Sequence, residues 1–365
     1  MARINFAQWG NDLYTGRRSY PIVQRRKRWF TVAAVLAIAS ILVIAIKGLT
    51  LGIDFRGGTE FTVNNASSTE QQLAIDAVHQ TLPGEEPRVA IVGGSAVRVQ
   101  TEVVTPEQES EIVTDLATAY DVEASEITTS FVGPTWGAGV STRALWGTVV
   151  FVLAAALFMA VYFRAWRMSV AAIIAMLGDL LISAGVYAAI GWEVTPSTII
   201  GFLTILGFSL YDKMVVFDKV RENTADVLTQ TRSTYAERAN LAVNQTLVRS
   251  INTSVVALLP VASILFVGAF LLGAGTLRDL SLSLFVGIAV GAASSLFLAT
   301  PLDVALRERE PRIAAHTKSV LEARAGLVAE GGHEAEVEAY TTGSAQLVPG
   351  QHQGNSAQPR RKRAR

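Results

Sequence analysis

Asp212, Arg249 and Asp179 are the residues of this 365-residue chain whose positions ask for chemistry, because each interrupts or borders a long apolar run. A carboxylate inside a membrane span costs about 2.5–3.5 kcal/mol on insertion scales, so it normally faces a bundle interior or a wet cavity and marks an ion or proton path. Asp212 precedes the apolar Met214-Val215-Val216-Phe217, which puts it within a span rather than at its edge. A fixed ion pair that only locks two helices is the competing reading. Arg249 opens the next apolar run. Antiparallel spans joined by the loop 219–248 set it level with residues 215–218, where it is either the relay partner of Asp212 or a plain positive anchor. Gln245, Arg249, Asn252 and Thr253 recur at helical spacing, which predicts one polar face turned into the bundle, with Ser209 on the neighbouring span in support. Asp179, midway along the third run, either relays protons beyond Asp212 or hydrogen-bonds the Thr204 and Ser209 region as structure, and both readings stand. Lys213 points about 100° away from Asp212 on a helix, so snorkelling to the interface is its expected fate. Ser283, Gly287, Gly291 and Ser295 repeat every four residues as a small-residue stripe, an internal seam or a face for another subunit.

Composition narrows the field. Half the residues are hydrophobic, 17% are charged, and the mean hydropathy is +0.35, which points to a membrane protein. There are no cysteines, so disulfide frameworks and thiolate metal sites are excluded. The four histidines, His79, His316, His333 and His352, lie outside the apolar runs and form no ligand-spaced cluster. Neither a nucleophile elbow nor a phosphate loop nor a dinucleotide fingerprint is present, and the Gly-Gly pairs at 57–58 and 93–94 suit turns. The expectation is a protein that is not an enzyme and uses no cofactor or metal, with protons as the coupling ion.

Six runs are long enough to cross the hydrocarbon, which takes roughly 20 helical residues: near 30–49, 144–163, 168–190, 197–218, 249–271 and 279–301. The first is longer than a signal-peptide core and lacks a clear small-residue cleavage site, so it reads as a retained anchor. Residues 1–29 carry Arg3, Arg17, Arg18, Arg25, Arg26, Lys27 and Arg28 against Asp12 alone, which predicts a cytoplasmic basic N-terminus. Arg164 and Arg167, and the loop 219–248 with Lys219, Arg221, Arg232 and Arg238, belong to the same side. Residues 51–140 hold only Arg56, Arg88 and Arg98 as basic residues against fourteen acids, which places the segment 50–143 outside. Spans two to six fill 144–301. The stretch 302–365 reads as a cytoplasmic, largely disordered tail with a basic tip, RRKRAR, that suits anionic lipid, ribosomal RNA or simply solvent, with no specific nucleic acid implied.

The outer segment alternates strand and helix patterns. Thr59–Asn64 reads as a strand, and Thr69–Thr81 as a helix opened by Thr69 with Gln72 at capping-box spacing. Arg88–Val92 and Ala96–Glu102 read as strands around a Gly93-Gly94-Ser95 turn. A helix starts at Thr105-Pro106-Glu107-Gln108 and runs to about Tyr120, and Ile127–Val132 is the last strand. The order βαββαβ is that of a small α+β ferredoxin-like domain.

Leu51-Gly52-Ile53-Asp54-Phe55-Arg56-Gly57-Gly58, just after the first span, resembles the GIDFxGG signature of the SecF family, with Gly52, Asp54, Gly57 and Gly58 in its places. Gly207-Phe208-Ser209-Leu210-Tyr211-Asp212 through Val215-Val216-Phe217-Asp218-Lys219-Val220-Arg221-Glu222-Asn223 is similar to the family's GxSxxDxxVVxDRxREN. Gln245-Thr246-Leu247-Val248-Arg249-Ser250 resembles its QTLxRT, and Val132-Gly133-Pro134 its VGP. The matches run in family order from residue 20 to about 303. The resemblance implies an α-helical membrane protein with six transmembrane helices, half of an RND-type twelve-helix body completed by SecD. It implies partnership with the SecYEG channel, a YidC-type insertase and the translocating preprotein, in a bacterial inner membrane, with the proton-motive force assisting export. It also gives Asp212 the role of the protonatable acid and Arg249 that of the basic residue of the fifth span. Lys213 departs from the small polar residue usual after that acid. An exporter half for lipids or small solutes, and a scaffold that only stabilises SecD, are the alternatives.

Overall fold

In the computed structural model of the chain, residues 6–92, 96–271 and 275–329 are described. Along them come α1 (Phe6–Tyr14), α2 (Arg26–Lys47), β1 (Thr50–Leu51), α3 (Ile53–Arg56), β2 (Gly58–Val63), α4 (Gln71–Thr81), β3 (Arg88–Val92), β4 (Ala96–Thr101), α5 (Pro106–Tyr120) and β5 (Ile127–Val132). After these follow α6 (Pro134–Phe163), α7 (Trp166–Ile190), β6 (Glu193–Val194), α8 (Pro196–Thr224), α9 (Tyr235–Ser263), α10 (Gly275–Ser294), α11 (Thr300–Arg307) and α12 (Pro311–Ala329). π-Helical turns over Ile264–Leu271 and Ser295–Ala299 prolong α9 and α10. Six helical stretches, built on α2, α6, α7, α8, α9 and α10, are long and apolar enough to cross a membrane. The described residues divide into two compact units, one of Lys27–Lys213 with Ile251–Ala299, the other of residues 6–26, 214–250 and 300–329.

Within the first unit, β2 to β5 form an antiparallel sheet in the order β3-β4-β2-β5, the ferredoxin-like arrangement. Alternation along β2 and β4 turns Phe61, Val63, Val97 and Val99 to one face, where Ala74, Val78, Ile112, Leu116 and Tyr120 of α4 and α5 cover them. Each Val, Leu, Ile or Phe among them contributes roughly 1.5–3 kcal/mol when fully buried. The Thr105 capping box forms as expected: Gln108 N donates to Thr105 Oγ1 (3.3 Å) and Thr105 N donates to Gln108 Oε1 (2.9 Å). The capping box expected at Thr69 does not form. There α4 starts at Gln71, and Gln72 Nε2 donates forward along the helix to Asp76 Oδ1 (2.9 Å). The turn expected at Gly93-Gly94-Ser95 lies outside the described residues.

The sheet is joined to the helices by a compact bracket. The short strands β1 and β6, which hydropathy alone does not announce, pair in parallel through Thr50 with Glu193 and Leu51 with Val194, and Gly52 N donates to Val194 O (3.0 Å). Gly57 and Gly58 follow with φ of 80° and 141°, a region that L side chains rarely adopt. A Cβ on Gly57 would meet Pro134 Cα at 2.8 Å and one on Gly58 would meet Thr101 O at 2.5 Å, so backbone passes where side chains would stand.

In the second unit, part of the loop and part of the tail prove helical. Of the expected loop 219–248, only residues 225–234 separate α8 from α9. The reason is a capping box that the sequence reading passed over: Thr234 N donates to Glu237 Oε2 (2.9 Å) and Glu237 N to Thr234 Oγ1 (3.3 Å). The expected disordered tail begins with α11 and α12 instead. Ile313 and Val320, seven residues apart, bury one stripe of α12, and Arg324 holds Glu237 through two nitrogens at 2.7 Å. The basic tip RRKRAR lies outside the described residues. Two amides on α9 pin the N-terminal segment: Asn244 Oδ1 accepts from Tyr20 N (2.7 Å) and Asn240 Oδ1 from Val23 N (3.0 Å).

Candidate functional site

The small-residue stripe of α10 builds the site by bringing α8 close. A Cβ on Gly287 would overlap Ile205, and one on Gly201 would overlap Ser283, so the two helices meet through small residues with no room for larger ones. One turn further on, Gly291 faces Ser209 and the Asp179 carboxylate. At the end of the seam, Ser295 Oγ donates to Asp212 Oδ2. The stripe is therefore an internal seam of this chain, and its last member touches the acid.

Around Gly291 a dry ionic cluster forms. Lys213 Nζ lies 2.7 Å from Asp179 Oδ2 and 2.5 Å from Ser209 Oγ, and Ser209 Oγ donates to the same carboxylate oxygen at 2.5 Å. Both side chains of the ion pair are 0% exposed. Lys213 thus does not snorkel. Ser209 and Lys213 are four residues apart on α8, so they share one face and point at α7, while the long stem of Lys213 stays in apolar packing. A buried cation without its anion would cost several kcal/mol, which makes Asp179 the obligatory neighbour rather than a convenient one. Asp179 Oδ1 is buried without a hydrogen-bond partner among the described residues, leaving lone pairs for a water or a proton. Thr204 takes no part: its hydroxyl donates to Ile200 O of its own helix (2.8 Å).

The remaining expected residues are distributed along α9 and the bracket. Gln245 Nε2 donates to Tyr14 O (3.0 Å), and Asn223 Nδ2 donates to Gln245 Oε1 (2.9 Å), so the ends of two motifs read from the sequence meet. Arg249 and Asn252 are exposed on α9 and Thr253 is half-buried, whereas the buried face of that helix carries Asn240, Asn244, Ser250 and Ser254. Asp54 sits in the bracket, away from the seam. Its carboxyl is pushed above the ordinary range by burial first and by Glu193 second, with Arg98 pulling the other way. Glu193 collects Gln100 Nε2 (2.7 Å) and Arg98 Nη1 (3.5 Å), and Arg98 Nε also faces Glu60 Oε1 (3.4 Å). Two residues of weight escaped the sequence reading: Lys213 as the partner of Asp179, whose signal was its four-residue spacing from Ser209, and Ser295 as the donor to Asp212. No group of three or more His, Cys, Asp or Glu side chains placed to hold a metal ion occurs among the described residues.

Comparison with known proteins gives a consistent picture. The sequence model of the C-terminal part of the protein export membrane proteins SecD and SecF matches residues 112–309, and that of the SecD/SecF GG motif matches residues 42–64. The protein translocase subunit SecF of Streptomyces coelicolor is 45% identical over 323 residues, covering 88% of this chain and 86% of the relative. The protein of the same name from Mycobacterium tuberculosis is 44% identical over 323 residues, covering 86% of this chain and 72% of the relative. The crystal structure of SecDF, a translocon-associated membrane protein from Thermus thermophilus, superposes with a TM-score of 0.71 at 30% identity. That match covers 80% of this chain, which spans only 39% of the longer SecDF chain.

Proposed function

We propose a function from the premise that the chain belongs to the SecF family of protein translocase subunits: it is a membrane subunit that assists the Sec translocase in moving preproteins across the bacterial inner membrane. SecD is its direct partner, a reading supported by the longer SecDF chain in which this chain's counterpart is one part. SecYEG, a YidC-type insertase and the preprotein complete the assembly. The positive-inside distribution of Lys and Arg supports cytoplasmic termini and an outer sheet domain.

The energy source we assign is the proton-motive force. A single observation carries this: a carboxyl, Asp212, is 3% exposed within a span and held by Ser295, one residue from a second buried acid–base pair. One charge moved across 100 mV is worth about 2.3 kcal/mol, enough to shift a bundle between two packings. In this scheme Asp212 takes and releases the proton, and Arg249 is the cationic group that answers its change of charge, an assignment resting on the match of residues 245–250 to the family motif. Asp179 and Lys213 form the next station, with the open Oδ1 of Asp179 as the proton's landing atom. Changes in the seam then reach the outer domain through the bracket at β1 and β6.

The test is preprotein translocation by inverted vesicles carrying Asp212→Asn, with and without a proton gradient. Stimulation by the gradient disappears in the variant while assembly with SecD persists. Full stimulation in that variant would leave a scaffold role in place of coupling.

A further inference from the structure

We propose that the cavity at the free edge of β3 binds an extended stretch of acidic polypeptide, its backbone added to the sheet along β3 and a carboxylate held by Arg88 and Arg278. Resting on the function proposed above, that stretch belongs to the preprotein. The cavity has a volume of about 390 Å³ and lies between the sheet, the turn after α7 and the start of α10. Strand parity builds its roof. Phe61, Val63, Val97 and Val99 turn towards α4 and α5, so Arg98 and Gln100 of β4, with Ala90 and Arg88 opposite them on β3, turn the other way and line the cavity.

From β4 only these alternate residues reach it, whereas β3 contributes Arg88, Val89 and Ala90 in succession. A strand that shows consecutive residues to one cavity presents its edge as well as its face. β3 ends the order β3-β4-β2-β5 and pairs with β4 alone among the described residues. Its outer N–H and C=O groups are thus open to pairing over roughly 7 Å from Arg88 to Ala90. An extended chain is the ligand that satisfies a row of such groups.

The charges select which chain. Two acids line the cavity, and both are engaged: Glu193 accepts from Gln100 Nε2 (2.7 Å) and faces Arg98 Nη1 (3.5 Å), and Asp279 Oδ2 accepts from Thr195 Oγ1 (3.1 Å). Arg98 is shared between Glu193 and Glu60. Arg88 is exposed and Arg278 half-buried, and neither forms an ion pair among the described residues. Two guanidiniums without an anion, beside an open strand edge, suit a carboxylate carried on that strand, which each planar fork can bind through two nitrogens. On the other wall Trp192 stands edge-on to Tyr187, with centroids 5.3 Å apart, and Leu282 lines the same cavity, an apolar surface for the stem of the acidic side chain.

The experiment uses the full chain purified together with SecD in lipid nanodiscs, without a proton gradient. Three short photoreactive peptides are compared: one with a central Glu, the same peptide with Gln in its place, and the Glu peptide N-methylated at alternate residues. The Glu peptide is expected to label residues 88–92 and 276–284 several-fold more than the Gln peptide, and N-methylation to remove most of that labelling. Arg88→Gln with Arg278→Gln brings the Glu and Gln peptides level; Arg88→Gln alone, at an exposed position, narrows the gap and serves where the double variant fails to assemble. Equal labelling by the Glu and Gln peptides in the unaltered protein, or a preference untouched by the Arg variants, overturns the carboxylate site. Undiminished labelling by the N-methylated peptide overturns the pairing along β3, and labelling confined to SecD overturns both. Because the readout needs neither a gradient nor Asp212, Asp212→Asn labels as the parent does, and failure here is distinguishable from failure of the coupling proposal.

Discussion

Two ionic clusters in the same compact unit differ in how much water they see, and the difference separates their work. At the seam, Lys213 and Asp179 are 0% exposed and 2.7 Å apart. In the bracket, Arg98, Glu60 and Glu193 are 17–19% exposed and pair at 3.4 to 3.5 Å. A dry pair cannot lose one member without leaving an uncompensated charge, while a half-wet network lets water replace what is removed. The seam therefore behaves as an all-or-nothing element, and the bracket as an adjustable one whose shape rests on backbone geometry at Gly57 and Gly58.

The contrast breaks first at Lys213. Lys213→Met strands Asp179 and is expected to cost about 3–5 kcal/mol, seen as a large drop in the melting temperature of the detergent-solubilised protein. Lys213→Met combined with Asp179→Asn recovers most of that loss; a single variant as stable as the parent would show that the pair is not dry. Next comes Gly58→Val, which forces a side chain into a φ of 141° against Thr101 O. A cost of about 1–3 kcal/mol should appear as faster proteolysis of the sheet domain with the apolar helices intact. Glu193→Gln keeps the acceptor for Gln100 and removes a charge, so about 0–1 kcal/mol is lost, and the difference should shrink as salt is added.

The smallest effect lies at Asp54. Its folded-state carboxyl is raised above 3.8, so the contribution it makes is fully present below that value and declines as pH rises through the folded one. Asp54→Asn should flatten this slope in a pH series of unfolding measurements. A slope that survives the substitution would show that Asp54 is not its source.

Much of the architecture is readable because long apolar runs and βαββαβ alternation depend on local pattern. Asp179 and Asp212 stand out because a carboxylate in an apolar run has few cheap fates. What escaped depends on which helices meet. Lys213 next to Asp212 looks like a residue that should reach for the interface, and only the approach of α7, permitted by Gly291 on α10, gives it a closer anion. Arg249 and Asn252 follow helical spacing correctly, yet period alone does not tell which stripe of α9 faces inward; the buried one runs through Asn240, Asn244, Ser250 and Ser254. The helical parts of 219–248 and of 302–329 do not stand out in the sequence, because Thr234-x-x-Glu237 and the Ile313, Val320 stripe are short signals in polar surroundings.

The pairing of β1 with β6 has a mechanical meaning. The two strands run parallel and side by side, so a pull along the chain between α2 and the sheet loads their hydrogen bonds in shear, all at once, instead of peeling them one after another. A load on the sheet domain is thus delivered to the turn between α7 and α8 as traction on a short stiff coupling, and the same coupling passes a displacement of that turn back to the sheet without slack.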